Sequence, residues 1–503
     1  MKLSNSFFLA GILLCSPTFA QVKMCGNQIG LTSCDQGSER FMAKGVCYQP
    51  EENVDPLSDD KIDTITQTLI PALKTIGVNI IRVYQVCPGG NCASHDQVMK
   101  ALQDNNIQVF VELADYKNGT QCTVDRSTGN YPQTLYDCFT KKIDAFSKYR
   151  NVFGFSVGNE VWMMPHKIDD NYLMPSATMK ALIRDMKAYI KKKNYNKPVG
   201  VALRDVPDVT IPLAYYYACH LQNEKEDTSA DFIGYNVYRW GQGTEPGNYP
   251  RLLNPYAKYR PVLSISDGGD GDGDKMMNGF KDINVPVILT EFGRPDTPRL
   301  FAQVDWMFQE GANLINGGMV FRLVQKKGED QFGLYEDNSL QTPTPNGGLN
   351  NLITEYNEKT PLMLGESVNL QKITCDPSKF PGMDSFQLDP EQLPKAGGDS
   401  QGTHELSFDV GNLKLPLTNI SINYEDSSGW HIAVTILNPG KQNYKGKIPD
   451  PKTLKSIGFN FNDTLGACLV KPANLLCKDA SCNQLKTVSA AWSANGQGPC
   501  TLK

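Results

Sequence analysis

The chain is poor in histidine, with five in 503 residues, and it has no Cys-x2-Cys repeat. A structural zinc site built from clustered Cys and His ligands is therefore poorly supported. Lys and Arg number 49 against 54 Asp and Glu, a net charge of −5, and no basic block interrupts the sequence. Nucleic acid is thus an unexpected partner. No apolar run reaches the roughly 20 residues needed to span a bilayer. No glycine-rich phosphate turn follows the first candidate strand, which disfavours a doubly wound dinucleotide-binding sheet. The last residues, Asn495 to Lys503, carry no hydrophobic tail, so no lipid-anchor signal is expected there.

Residues 1–20 read as a secretory leader. Lys2 supplies the positive start, Phe7 to Leu14 the apolar stretch, and Thr18-Phe19-Ala20 a cleavage site before Gln21. A membrane anchor is the alternative, but the apolar stretch is too short to span. A lipoprotein reading through Cys15 meets a bulky Leu14 where a small residue is expected. The expected product is exported and monomeric, without a membrane span. Cysteine usage agrees. Of 14 cysteines, Cys15 leaves with the leader, and the odd remainder implies at least one free thiol. The close pairs Cys25/Cys34, Cys87/Cys92, Cys122/Cys138 and Cys477/Cys482 suggest local disulfides.

Between residues 40 and 360, short β-prone runs alternate with helical patterns. The expected strands are Phe41–Cys47, Asn79–Tyr84, Ile107–Leu113, Val152–Val157, Pro198–Leu203, Asp231–Tyr238, Val285–Thr290 and Gly317–Leu323. The expected helices include Ile62–Ile76, Ser94–Asp104, Thr134–Tyr149, Ser176–Lys193, Thr297–Gly311 and Gly347–Asn357. Eight strands separated by helices predict an α/β fold, a (β/α)8 TIM barrel, over residues 21–364. Residues 365–402 are rich in Pro, Gly, Asp and Ser and read as a linker. Period-2 runs then return, among them Glu405–Val410, Ile420–Tyr424, Trp430–Ile436 and Ser456–Phe461. They predict a small β-rich, disulfide-stapled domain over 403–503.

Two glutamates stand out against this frame. Glu160 ends Phe153-Gly-Phe-Ser-Val-Gly-Asn-Glu160, and Glu291 follows Val285-Pro-Val-Ile-Leu-Thr290. Strand C-termini are where such a barrel presents residues to substrate. A retaining glycosidase needs two carboxyls about 5–5.5 Å apart, one to protonate the leaving oxygen and one to attack the sugar. Glu160 on strand 4 is the candidate acid/base, with a raised pKa expected, and Glu291 on strand 7 the candidate nucleophile, kept ionised. Asn159 is placed to hydrogen-bond a sugar 2-hydroxyl. Other polar or aromatic residues near strand ends are Gln49, Arg82, Tyr84, Asp115, Tyr235, Tyr238, Trp240 and Phe321. Taken together they suggest a carbohydrate cleft; singly, each aromatic also fits core or rim packing. No metal and no cofactor enters this chemistry. A neutral polysaccharide is the expected partner.

The chain also resembles a known family, the fungal-type β-1,3-glucanosyltransferases of glycoside hydrolase family 72. Phe41-Met-Ala-Lys-Gly-Val-Cys-Tyr-Gln-Pro50 is similar to that family's Lys-Gly-Val-x-Tyr-Gln-Pro signature. Ile81-Arg-Val-Tyr84, Val157-Gly-Asn-Glu-Val161, Ile183–Ile190, Pro198-Val-Gly200, Leu213–Cys219, Ala230–Trp240 and Val285–Gly293 continue the likeness in order. The resemblance implies a (β/α)8 fold, β-1,3-glucan as substrate, and a double displacement ending in transfer to another glucan chain. It implies that Gln49, Tyr84, Asp115, Asn159, Tyr238 and Trp240 hold sugar beside the glutamates.

There are departures. The family's Ser-Glu-Tyr-Gly-Cys becomes Thr290-Glu-Phe-Gly-Arg294, and its Tyr-Glu-Tyr on the last strand becomes Phe321-Arg322-Leu323. A family disulfide is missing on both sides, at Thr66 and Val98; Cys87 and Cys92 flank the same loop. An endo-β-glucan hydrolase with the same glutamates is the enzymatic alternative. A glycan-binding adhesin without turnover is the alternative from another class, and the presence of both glutamates argues against it.

Overall fold

The computed structural model describes Phe19 and residues 21–115, 120–126, 129–161, 173–204, 207–238, 280, 283–295, 298–301, 303–328, 331–365, 373–379, 386–396, 404–409, 419–426, 429–437, 443–448, 451–461, 464–470, 473–480, 482, 484–490 and 500–502. Eight parallel strands close into a barrel. They are β1 (Ala43–Cys47), β2 (Ile80–Val83), β3 (Gln108–Glu112), β4 (Val152–Asn159), β5 (Val199–Leu203), β6 (Phe232–Val237), β7 (Val287–Phe292) and β8 (Ile315–Val320). Each pairs with the next in sequence, and β8 closes on β1 through Gly317↔Ala43 to Val320↔Val46. The expected (β/α)8 barrel is therefore present. An antiparallel hairpin of Lys23–Cys25 and Gln28–Gly30 precedes it, a feature the sequence patterns did not suggest.

Helices between and after the strands are α1 (Ile70–Ile76), α2 (Asp96–Asp104), α3 (Gln133–Phe146), α4 (Leu173–Lys192), α5 (Pro207–Ala218), α6 (Gln303–Phe308) and α7 (Gly348–Glu358). A wider π-type turn over Ile65–Leu69 leads into α1, just before Pro71, which has no N–H to donate. The helix stops at Gly77, whose φ of 84° is the left-handed conformation that favours glycine. Helix α5 was missed as a periodic pattern. It carries Pro212 in its interior, and Leu213 through Ala218 are all buried, so no polar face repeats at helical spacing. The expected helix Thr297–Gly311 forms only as the shorter α6 with a 3-10 turn after it.

Strand periodicity divides the core into two layers. Ile80, Phe110, Phe153, Phe232, Ile288 and Met319 fill the barrel interior, while Ile81, Val83, Ile233 and Tyr235 pack outward in the layer that includes helix residues. Phe110, Phe153 and Phe232 meet with ring centroids 5.3–5.9 Å apart. Gly200 makes room for them: a Cβ there would lie 2.4 Å from the Phe232 ring. Burying each ring contributes about 1.5–3 kcal/mol.

Disulfides join Cys25–Cys34, Cys87–Cys92, Cys122–Cys138 and Cys477–Cys482, the four expected pairs, and also Cys219–Cys375. Cys47 is free and buried, in keeping with the odd cysteine count. The Cys219–Cys375 bridge changes the picture of the linker, because its described parts are fastened to the barrel helices. Phe386 stacks on Tyr216 at 4.7 Å, the Tyr216 hydroxyl donates to the Gln387 carbonyl (2.9 Å), and Arg184 donates to the Pro394 carbonyl (3.0 Å).

Beyond residue 403 lie β9 (His404–Asp409), β10 (Asn419–Asp426), β11 (Gly429–Leu437), β12 (Asn443–Ile448), β13 (Ser456–Phe461), β14 (Thr464–Val470), β15 (Val488–Ala490) and β16 (Cys500–Leu502). They form two four-stranded sheets, β12-β9-β15-β16 and β11-β10-β13-β14. Phe408 of one sheet stacks on Phe459 of the other at 4.2 Å, the contact expected between two apolar faces. Among the described residues, no helix is long and apolar enough to cross a membrane.

Candidate active site

The site begins with a side chain that has no business in a barrel core unless it is paired. Arg82 sits on β2, two residues after Ile80, so alternation turns it inward, and it is fully buried. Its guanidinium spreads across the C-terminal end of the barrel. Nη1 donates to Glu291 Oε1 (3.0 Å), to the Thr290 carbonyl (3.1 Å) and to Asn236 Oδ1 (3.4 Å). Nη2 donates to Asn159 Oδ1 (2.8 Å) and to Glu112 Oε2 (3.0 Å). One fork therefore ties together β2, β3, β4, β6 and β7.

Local irregularity puts the carboxylates on this network. On β7 the register with β6 shifts between Gly234↔Ile288 and Asn236↔Glu291, so two steps on β6 face three on β7. The extra residue brings Glu291 to the inner side, opposite Asn236. On β4 the register with β5 shifts between Ser156↔Gly200 and Asn159↔Ala202. Bulges of this kind re-aim side chains near active sites. Glu160, immediately after β4, has a φ of 47°, and its N–H donates to the Ala202 carbonyl (3.0 Å). Arg126, from the segment between β3 and α3, donates to the carbonyls of Glu160 (2.5 Å) and Asn159 (3.1 Å).

Glu291 is almost completely buried and accepts three kinds of donor: Arg82, the Tyr84 hydroxyl (2.6 Å to Oε1) and the Tyr238 hydroxyl to Oε2. Burial pushes its carboxyl above the usual range. The Arg82 charge opposes that rise, Glu160 adds to it, and the Tyr238 and Tyr84 hydrogen bonds oppose it. Glu160 is half-buried, and its Oε1 accepts from Asn236 Nδ2 (2.7 Å). The same Nδ2 donates to Asn159 Oδ1 (2.9 Å), and Asn236 Oδ1 accepts from the Thr290 hydroxyl (2.8 Å). Asn236 and Arg82 thus link the two glutamates through two side chains. A third buried carboxyl, Glu112, accepts from Arg82 and from the Ser156 hydroxyl (2.8 Å to Oε1); burial raises its pKa too, against the Arg82 charge.

Of the residues marked from sequence, Arg82, Tyr84, Asn159, Glu160, Tyr238 and Glu291 come together in this network. Phe321 lies beside it: the rings of Tyr238, Phe321 and Phe332 meet edge-on at 5.4–5.9 Å. Tyr235 needs correction, and two further positions have their side chains engaged by neighbouring loop groups. Tyr235 points away from the site, into the layer outside the barrel, with its ring 5.6 Å from Phe280, because its neighbour Asn236 takes the inner face. The Gln49 side chain is spent on its own loop, donating to the carbonyls of Glu51 (2.7 Å) and Val54 (3.1 Å) and accepting from Gln85 N–H (3.0 Å). Asp115 is a buried loop tie, paired with Lys142 (2.6 Å) and accepting from Gly89 N–H (2.9 Å) and Thr120 (2.8 Å). Trp240 lies outside the described residues. Glu112, Arg126, Asn236 and Phe332 were missed. Glu112 carried the same signal as the other two glutamates, a lone carboxylate closing an apolar strand. Arg126, in a loop, carried none.

The family model of the glucanosyltransferases of glycoside hydrolase family 72 matches residues 14–269, about half of the chain. The chain belongs to this family. Its curated relatives include the 1,3-beta-glucanosyltransferase gas2 of Schizosaccharomyces pombe, 32% identical over 331 residues, covering 63% of this chain and 62% of that protein. A 1,3-beta-glucanosyltransferase of Arthroderma benhamiae is 32% identical over 310 residues, covering 59% of this chain and 49% of the relative. The matches thus span about half to three fifths of these relatives' length. Among solved structures, Saccharomyces cerevisiae Gas2p in complex with laminaripentaose aligns with a TM-score of 0.57 at 25% identity, covering 75% of this chain and 77% of that one. This family member keeps the barrel and sets Arg82 under the two glutamates.

Proposed function

We propose that the protein is a retaining β-1,3-glucan-active enzyme that cleaves internal bonds and transfers the released glycosyl unit to another glucan. Glu291 is the nucleophile and Glu160 the acid/base. The observation that carries this is the Glu291 carboxylate, buried and held by Arg82, Tyr84 and Tyr238 on the rim where Glu160 stands. Names of relatives, and the laminaripentaose bound in Gas2p, support the choice of glucan.

In the first step a Glu291 oxygen attacks the anomeric carbon while Glu160 gives its proton to the departing glycosidic oxygen. The C1–O bond breaks and a glycosyl ester forms. In the second, Glu160 takes the proton of an incoming hydroxyl, whose oxygen bonds to C1 as the ester breaks. A glucan hydroxyl gives transfer; water gives hydrolysis. The three donors oppose the rise that burial imposes on the Glu291 carboxyl, and burial leaves the ionised form poorly solvated and reactive toward carbon. Asn159 is the residue placed to bond the sugar 2-hydroxyl, and Phe321 with Tyr238 offers an aromatic wall for a sugar face. The five disulfides among the described residues support an exported protein.

Incubation with reduced laminari-oligosaccharides, followed by sizing of the products, tests this reading. The expected result is products longer than the donor alongside shorter ones. Shorter products alone would replace transfer with hydrolysis, and an unchanged mixture would remove turnover altogether.

A further inference from the structure

A cavity of about 340 Å³ lies at the opposite end of the barrel from the glutamates. Its walls include Leu31, Phe41, Phe308 and Leu362, and two cations reach it, Arg40 and Lys44. Arg40 is 5% exposed. Its Nε and Nη2 donate to Asn316 Oδ1 (3.2 and 2.8 Å), and Nη2 also to the Ile315 carbonyl (3.2 Å). Nη1 has no acceptor among the described residues, and Arg40 is part of the cavity wall. The half-buried Lys44 donates to the Tyr356 carbonyl alone (3.1 Å). Among the described residues, neither cation pairs with a carboxylate. Glu39 stands exposed at the rim without bonding either, and Lys359, also in the wall, is already held by Asp305 and Glu355. A charge buried against neutral oxygens only is costly and is compensated by an ion of opposite sign. Burial lowers the pKa of both groups, Arg40 to about 10.

We propose that this cavity binds a small organic carboxylate, its oxyanion between Arg40 Nη1 and Lys44 Nζ and its apolar body against Phe41 and Phe308. Phe19 forms part of the wall, and removal of the leader would widen the entrance. Titration calorimetry with benzoate, with inorganic phosphate as control, tests the site. Benzoate is expected to bind saturably at one site, Lys44→Met and Arg40→Lys to weaken it tenfold or more, and activity on laminari-oligosaccharides to be unchanged in Lys44→Met. Absence of saturable benzoate binding overturns the proposal, as does wild-type affinity in either variant. Phosphate binding as tightly as benzoate overturns the assignment of an apolar body.

A second observation stands apart from the first. Glu160 adopts φ 47°, a left-handed conformation that costs an ordinary residue about 1–2 kcal/mol, and two N–H groups of Arg126 grip the carbonyls of the peptides on either side of it, those of Asn159 and Glu160. We infer that Arg126 is a positioning residue that aims the Glu160 carboxyl at the leaving oxygen. This rests on the acid/base reading of Glu160. Proton donation matters for a glucan leaving group and little for 2,4-dinitrophenolate, which departs unprotonated. In kcat/KM, which reports the first step, Arg126→Ala is therefore expected to slow glucan cleavage tenfold or more while leaving release of 2,4-dinitrophenolate from its β-laminaribioside nearly unchanged, and Arg126→Lys should recover part of the loss. Equal slowing on both substrates overturns the positioning role. If Glu160→Ala itself slows both substrates equally, it is the acid/base reading that falls.

Discussion

Replacing Glu291 or Glu160 by glutamine lowers turnover on β-1,3-glucan by about three orders of magnitude or more, a rise of at least about 4 kcal/mol in the barrier. The fold should survive both changes, because glutamine matches glutamate in shape and keeps an oxygen for the neighbouring donors. At Glu291 the amide oxygen can still accept from Arg82 and Tyr84; at Glu160 it can still accept from Asn236. What is lost is the negative charge that attacks carbon in one case and the transferable proton in the other. Thermal unfolding measured beside the rate separates these losses from misfolding. A glutamine variant that retains near-normal turnover removes its residue from the mechanism.

The two roles separate with a small nucleophile. Glu291→Ala leaves space where the carboxylate stood, and azide entering it can form the N–C1 bond while Glu160 still protonates the leaving oxygen. Partial recovery with azide, giving a glycosyl azide of inverted configuration at C1, is the expected signature of a lost nucleophile. Recovery without any azide adduct would point to another group attacking the sugar.

The barrel was legible because each strand is a short apolar run bounded by turns and helices, a pattern that survives errors of two residues at either end. The face that each strand-end residue presents was less legible. Tyr235 looked like a cleft residue from its position, yet the inward Phe232 and Asn236 send it outward. The extra residue on β7 that turns Glu291 inward leaves no mark in composition. Glu112 and Asp115, three residues apart, are alike in sequence as acidic groups near one strand end, yet Glu112 reaches Arg82 while the Asp115 charge is consumed by Lys142. Arg82 was seen as a sugar contact, but complete burial makes it the centre of the carboxylate network instead. Long-range pairing of this kind, and the Cys219–Cys375 clasp, depend on three-dimensional closure that no local pattern encodes.

Arg82→Met should show how much rests on that closure. Burial disfavours the Arg82 charge, but Tyr84, Glu112 and Glu291 around it more than compensate and hold it firmly protonated. Removing it leaves Glu112 and Glu291 in the barrel without a cation, and stranding buried charges in this way costs about 3–5 kcal/mol. The penalty must depend on pH. Both carboxyls already lie above their usual range in the intact protein, and Arg82 is the first influence holding each of them down. Without it their folded pKa values rise further, while the unfolded values stay near about 4.3. The folded variant then binds more protons than the unfolded chain, so its stability falls as pH rises through the folded pKa and is regained below it. Denaturant unfolding should show the deficit against wild type widening between acidic and neutral pH. The acid limb of the kcat/KM profile should move upward in the same variant, because the nucleophile must lose its proton to attack. Arg82→Lys keeps a charge but not the two-sided fork, so it should restore more stability than activity. An Arg82→Met protein with wild-type stability at neutral pH and an unmoved acid limb would show that the two glutamates do not depend on this guanidinium, and the network would lose its role as the site's organiser.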